Sequence, residues 1–149
     1  MSQATVTQKN SRRPALLFFL LVICFSSPVL AGVVVTPEML AGSASIIKEL
    51  SPAEAKELID TRADLVVIDV RNLKELSHGV IPGSLLLSLP DIARKNYDLP
   101  KKTPILVICT LGGRSDAASR YLAKDGFPEI FYIKGGIAAW KKAGYPVMY

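Results

Sequence analysis

The sequence predicts an α/β fold: an open parallel sheet with helices on both faces. Three observations carry this. Short apolar runs alternate along the chain with amphipathic segments of helical period. The runs Leu65–Val70 (LVVIDV) and Ile105–Ile108 (ILVI) are almost continuously apolar, as strands covered on both sides are. The stretch Ile105–Phe127 reads as strand, loop and helix in immediate succession. Right-handed crossovers then connect the parallel strands.

Ile46–Leu50 suits a short strand at the start of the domain. Ser51-Pro-Ala-Glu54 is a capping box with Pro at the first helical position, so a helix follows to about Asp60. Ala55, Leu58 and Ile59 fall on its core face. Leu65–Val70 is a central strand, and Asp69 and Arg71 stand at its C-terminal end. Asn72–Leu76 reads as one helical turn, Gly79–Gly83 as a turn and Ser84–Leu89 as another strand. Asp91–Asn96 is a short polar helix or turn, and Pro100–Pro104 is a loop feeding the next strand. After Ile105–Ile108 a helix runs over Ser115–Asp125, with Ala118, Tyr121 and Leu122 apolar and Gly126 as its stop signal. Ile130–Ile133 is the last strand. Gly135-Gly136 turns into a helix over Ile137–Ala143, where Trp140 is a core anchor.

The chemistry gathers between the strand at Ile105–Ile108 and its helix, in Cys109-Thr-Leu-Gly-Gly-Arg114-Ser115. A cysteine at the C-terminal end of a parallel strand faces the crevice where α/β sheets bind ligands. Gly112 and Gly113 allow the backbone to curl so that N–H groups point inward as an anion nest. The positive end of the following helix points at the same place. Such surroundings lower a thiol pKa and favour the nucleophilic thiolate.

Cys109-x-x-Gly112-x-Arg114-Ser115 resembles the active-site loop of rhodanese-domain sulfurtransferases. Three further stretches resemble that family in the same order: Asp69-Val-Arg71 with Glu75; Gly79-Val-Ile-Pro82-Gly83-Ser84; and Gly135-Gly136-x-x-x-Trp140 with Lys142-Ala-Gly-Tyr-Pro-Val147. The resemblance covers about residues 46–147. It implies a rhodanese-like sheet and a persulfide on Cys109, cradled by residues 110–115. Asp69, Arg71 and Glu75 are implied as structural support for the loops. Val80 stands where the family usually has His, at a mainly structural position.

The residues before this domain read differently. Lys9, Arg12 and Arg13 precede the apolar run Ala15–Phe25, and Val29-Leu-Ala31 follows two serines and Pro28. A basic region, a short apolar region and small residues describe a secretory signal peptide over 1–31, cleaved after Ala31. Eleven apolar residues are short for a membrane span, although an uncleaved anchor is the alternative. Residues 32–45 are a linker or N-terminal extension, and Val33–Val35 in it would suit an edge strand or a tether. A periplasmic or otherwise exported location follows, with no stable membrane insertion after cleavage.

Removing 1–31 takes three of the 18 basic residues and none of the 13 acidic ones, leaving 15 against 13, a charge of +2. The basic character therefore does not argue for nucleic acid. Cys24 leaves with the signal, so Cys109 has no partner for an internal disulfide, a CxxC redox pair or a cysteine-rich zinc site. His78 is the single histidine; it reads as an exposed turn residue and argues against a cysteine-protease dyad.

The expected activity is sulfur transfer, from thiosulfate or a persulfide or polysulfide, through Cys109, to cyanide or a thiol. A protein thiol is among the acceptors. No metal or organic cofactor is expected. Cys109 is the expected nucleophile, and Thr110, Leu111, Gly112, Gly113, Arg114 and Ser115 the expected substrate-binding residues. Many family loops carry Arg or Lys at the positions of Thr110 and Leu111, so Arg114 is the loop's one cation; the alternative has it turned outward to a carboxylate such as Asp116. Two other functions fit less well. One is a non-catalytic sulfur-carrier or partner-binding module, which typically lacks the Cys. The other is a cysteine phosphatase or arsenate reductase, whose phosphatase-type loop places five residues between Cys and Arg, where this chain has four.

Overall fold

The structure is a computed structural model, and it describes residues 44–149. The expected signal peptide and all of the expected linker but its last two residues lie outside the described residues. Among the described residues, no helix is long and apolar enough to cross a membrane.

Five strands form one sheet: β1 (Ile46–Leu50), β2 (Val66–Asp69), β3 (Leu85–Leu86), β4 (Ile105–Ile108) and β5 (Glu129–Ile133). Their order is β1-β5-β4-β2-β3, and every pairing is parallel. The open parallel sheet expected from the alternating runs is therefore what the chain forms. β4 is central and all four of its residues are buried.

Among the described residues, four α-helices cover the sheet: α1 (Pro52–Thr61), α2 (Leu89–Ala93), α3 (Gly113–Lys124) and α4 (Gly136–Lys142). The alternation of strand side chains creates two cores. On one face, Ile68, Ile105 and Val107 meet Ile92 of α2 and Ala118 and Leu122 of α3. On the other, Val67, Leu106 and Ile108 meet Ala55 of α1 and Ile137 and Trp140 of α4. Leu122 has no exposed surface, so truncating it to Ala would cost about 2–5 kcal/mol.

Local signals set the boundaries. Ser51 accepts the Glu54 N–H at 3.2 Å, and the Glu54 carboxylate accepts the Ser51 N–H at 2.8 Å, closing the capping box of α1. The strand expected over Ser84–Leu89 shrinks to Leu85–Leu86. Its cause is Ser88, whose side chain accepts the Asp91 N–H and starts α2 at Leu89. The single turn expected at Asn72 is a six-residue 3-10 helix, Leu73–His78, with its own reciprocal cap between Asn72 and Glu75. The expected last helix opens one residue earlier, at Gly136. Trp140 is buried as an anchor, and its indole N–H donates to the Pro146 carbonyl at 3.0 Å, which holds the chain end. That end reaches back to the turn, where Val80 and Met148 form an antiparallel bridge.

Candidate active site

Parallel pairing of β2 with β4 sets Asp69 beside Ile108 and so brings both loop starts to the same sheet edge. Cys109 follows Ile108 directly. Its side chain continues the alternation of β4 onto the α3 face, where it is buried with 1% exposure. The loop then closes around the sulfur. The Gly112 N–H donates to Cys109 Sγ at 3.0 Å, and Ser115 Oγ lies 3.5 Å from it.

Gly112 makes this closure sterically possible. It sits at φ 104°, a conformation that a side chain would strain, and it is the residue before the first turn of α3. Gly113 is different: it is the first helical residue and faces open space. Of the two glycines expected to curl the loop, only Gly112 is needed for its backbone angle.

Burial pushes the Cys109 thiol pKa up. Hydrogen bonds from the Ser115 hydroxyl and from the backbone N–H groups of Ser115, Gly112 and Leu111 outweigh it, and the net direction is down. Ser115 has one hydroxyl proton and two acceptors in reach, since Oγ also donates to the Gly112 carbonyl at 2.8 Å. The shorter contact is to the carbonyl, and the sulfur at 3.5 Å is the second acceptor.

The floor of the loop is backbone. The Ile137 N–H donates to the Cys109 carbonyl at 2.8 Å, and the Ala138 N–H to the Thr110 carbonyl at 3.2 Å. The first turn of α4 thus clamps the two residues that begin the loop. Gly136 permits the approach. A Cβ there would stand 2.4 Å from the Cys109 carbonyl oxygen, and its φ is 58°. The Gly135-Gly136 dipeptide carried that signal in the sequence, where it read only as a turn.

Asp69 and Arg71 form a buried pair, 1% and 2% exposed. Arg71 Nε lies 2.9 Å and Nη2 2.6 Å from the Asp69 carboxylate oxygens, and Nη2 also donates to the Gly79 carbonyl at 2.8 Å. Arg71 Nη1 donates to the backbone carbonyl of Glu75 at 3.2 Å. The pair ties β2, the 3-10 helix and the following turn together.

Glu75 does more than the sequence suggested. Its side chain crosses to the loop: Oε1 accepts the Thr110 hydroxyl at 2.7 Å and Arg114 Nη2 at 2.5 Å, while Oε2 accepts Arg114 Nη1 at 2.8 Å. Arg114 Nη2 also donates to Thr110 Oγ1 at 2.9 Å, closing a triangle. The Arg114 guanidinium holds the Glu75 carboxyl far below the usual carboxylate range, against the cost of burial. Asp116, the partner weighed for Arg114, instead takes Arg120 one turn along α3. Leu111, at the loop tip, is 72% exposed.

Two clefts flank this triangle. One, about 470 Å³, lies between Val70, Asn72, Ser88, Leu89 and Arg114. The other, about 300 Å³, is lined by Glu75, Thr110, Ile137 and Lys141, and by the exposed His78.

The model of the rhodanese-like domain matches residues 51–143. The chain belongs to the rhodanese-like domain family. It is 32% identical over 98 residues to a sulfurtransferase of Allochromatium vinosum, covering 66% of this chain and 91% of that one. It is 35% identical over 96 residues to the thiosulfate sulfurtransferase GlpE of Pseudoalteromonas translucida, covering 64% and 90%. Among solved structures, a rhodanese-related protein from Thermoplasma volcanium superposes with a TM-score of 0.61 at 33% identity, covering 68% of this chain and 97% of that one. Membership and these relatives support sulfur transfer as the reaction class. In this rhodanese domain the candidate nucleophile, the helix that follows it and the Glu75 bridge all lie at one sheet edge.

Proposed function

We propose that the protein moves a sulfane sulfur from thiosulfate, or from a persulfide or polysulfide, through Cys109 to cyanide or a thiol. One observation carries this reading: the buried Cys109 sulfur accepts a backbone N–H at 3.0 Å inside a loop whose donors lower its pKa. In the first half-reaction the Cys109 thiolate attacks the outer sulfur of the donor. The new Sγ–S bond forms as the donor's S–S bond breaks. Its electron pair leaves on sulfite when thiosulfate is the donor and on a thiolate when a persulfide is. In the second half-reaction the acceptor attacks the outer sulfur of the Cys109 persulfide, and the pair returns to Sγ. Cyanide leaves as thiocyanate, and a thiol, including a protein thiol, leaves as a persulfide. This is covalent catalysis with ping-pong kinetics.

The loop N–H groups of residues 111, 112 and 115 cradle the charge on the outer sulfur as they do on the thiolate. A thiosulfate:cyanide assay that follows thiocyanate, run on the protein and on Cys109→Ser, tests the reading. Turnover that disappears with the thiol is expected; turnover that survives in Cys109→Ser contradicts it.

The proposed setting is an exported space, with the chain cleaved after Ala31. The basic, apolar and small-residue order of residues 9–31 supports this. N-terminal sequencing of the mature protein should read from Gly32; a retained Met1 would contradict it.

A further inference from the structure

We propose that Glu75 is a specificity-determining residue that turns the Cys109 loop away from dianionic donors such as thiosulfate and toward organic persulfides. This rests on the sulfur-transfer reading and names its donor class.

The argument starts from the count of charges. Among the described residues of the loop, Arg114 is the one cation, because positions 110 and 111 are Thr and Leu. Arg114 is already matched. Both of its terminal nitrogens lie on the two oxygens of Glu75, at 2.5 and 2.8 Å. The Glu75 carboxylate is itself saturated, since it also accepts the Thr110 hydroxyl at 2.7 Å and the Asn72 N–H at 3.1 Å. Two oxygens offer roughly four acceptor positions, and all are taken. The pair is therefore fixed in place, and its two charges cancel at the loop.

The two donor classes ask different things of such a site. Thiolate and thiosulfate bring three negative charges together, and they leave as a persulfide anion and sulfite dianion. Thiolate and R–S–SH bring one, and they leave as Cys109–S–SH and a thiolate. Backbone N–H groups serve both, because both place charge at Sγ and the outer sulfur. Only thiosulfate also needs a cation for three sulfonate oxygens, and Glu75 occupies that cation. For thiosulfate to use Arg114 it must displace a bidentate carboxylate or bind beside it, and a like charge stands close in either case. The 470 Å³ cleft next to Arg114 sets Val70, Leu89 and Pro90 beside the polar Asn72 and Ser88, a mixed lining that suits the carbon body and polar groups of an amino-acid persulfide.

The test measures kcat/KM for thiosulfate and for cysteine persulfide, in the full chain, for the wild type and Glu75→Gln. The amide keeps the shape and an acceptor for Thr110 but frees the Arg114 charge. The thiosulfate-to-persulfide ratio should rise by about tenfold, the scale of one unit charge acting across a partly solvated site. Thiosulfate turnover by Glu75→Gln should also fall more steeply with added salt than that of the wild type. Leu111→Lys, which adds a cation at the exposed loop tip and leaves the contacts of Glu75 in place, should move the ratio the same way, and it carries the test if Glu75→Gln does not fold. A ratio changed by less than about twofold, or a parallel loss with both donors, overturns the proposal and leaves Glu75 as a brace. Absence of any added sulfur on wild-type Cys109 with either donor overturns the sulfur-transfer reading instead, and this inference with it.

Discussion

Arg114 is held by Glu75 from across the sheet edge, at 2.5 and 2.8 Å, and not by Asp116 on its own helix. Removing the guanidinium leaves the Glu75 carboxylate against the Cys109 loop without its countercharge. Arg114→Ala should therefore lower kcat/KM for thiosulfate by about tenfold, the scale of one uncompensated like charge at a partly solvated site. Adding Glu75→Gln to that variant should recover part of the loss, because the unpaired charge goes too. A double-mutant cycle on steady-state kinetics checks both, and strictly additive losses would contradict the coupling.

Ser115 is the side chain that most favours the Cys109 thiolate. A lowered thiol pKa means that the thiolate persists as pH falls below the ordinary value of about 8.5, and that reactivity is lost only on passing below the folded pKa. In Ser115→Ala the sulfur stays buried and the hydroxyl donor goes, so the inflection should move up. Alkylation of Cys109 by iodoacetamide as a function of pH reads this directly. An inflection that does not move would assign the lowering to backbone N–H groups alone.

Much of the fold was legible in the sequence, because each signal is local. The capping box at Ser51, the apolar runs LVVIDV and ILVI, and the stop at Gly126 each act within a few residues. β3 is shorter than its apolar run suggests, because Leu87 and Leu89 look like strand residues while Ser88 caps a helix in the middle of them. Cys109 at the strand end was legible for the same local reason. The reach of Glu75 to Arg114 was not, since 39 residues separate them and nothing in either neighbourhood marks the other. The clamp of α4 on the loop was half legible: the Gly-Gly pair announces a close approach without saying to what.

Asp69 is the countercharge for Arg71, and both are almost fully buried. Asp69→Ala leaves a guanidinium in the interior with carbonyls alone for partners. Its unfolding free energy should fall by about 3–5 kcal/mol. Chemical denaturation followed by circular dichroism measures it, and a loss below about 1 kcal/mol would mean that water reaches Arg71.

Gly136 admits the loop backbone where a methyl group would overlap the Cys109 and Thr110 carbonyls. Gly136→Ala should cost about 1–2 kcal/mol from its positive φ alone, and more from displacing the loop. Melting temperature and sulfur-transfer rate should fall together. Gly113→Ala, with open space at its Cβ, is the control that should change stability little.

The central claim is that Cys109 carries sulfur as a persulfide, and intact mass spectrometry after incubation with a donor tests it most directly. The protein should gain the mass of one sulfur atom, peptide mapping should place it on Cys109, and cyanide should remove it as thiocyanate. Cys109→Ser should gain nothing. A wild-type protein that acquires no sulfur from thiosulfate or from cysteine persulfide, or a Cys109→Ser protein that acquires it equally, would contradict the account.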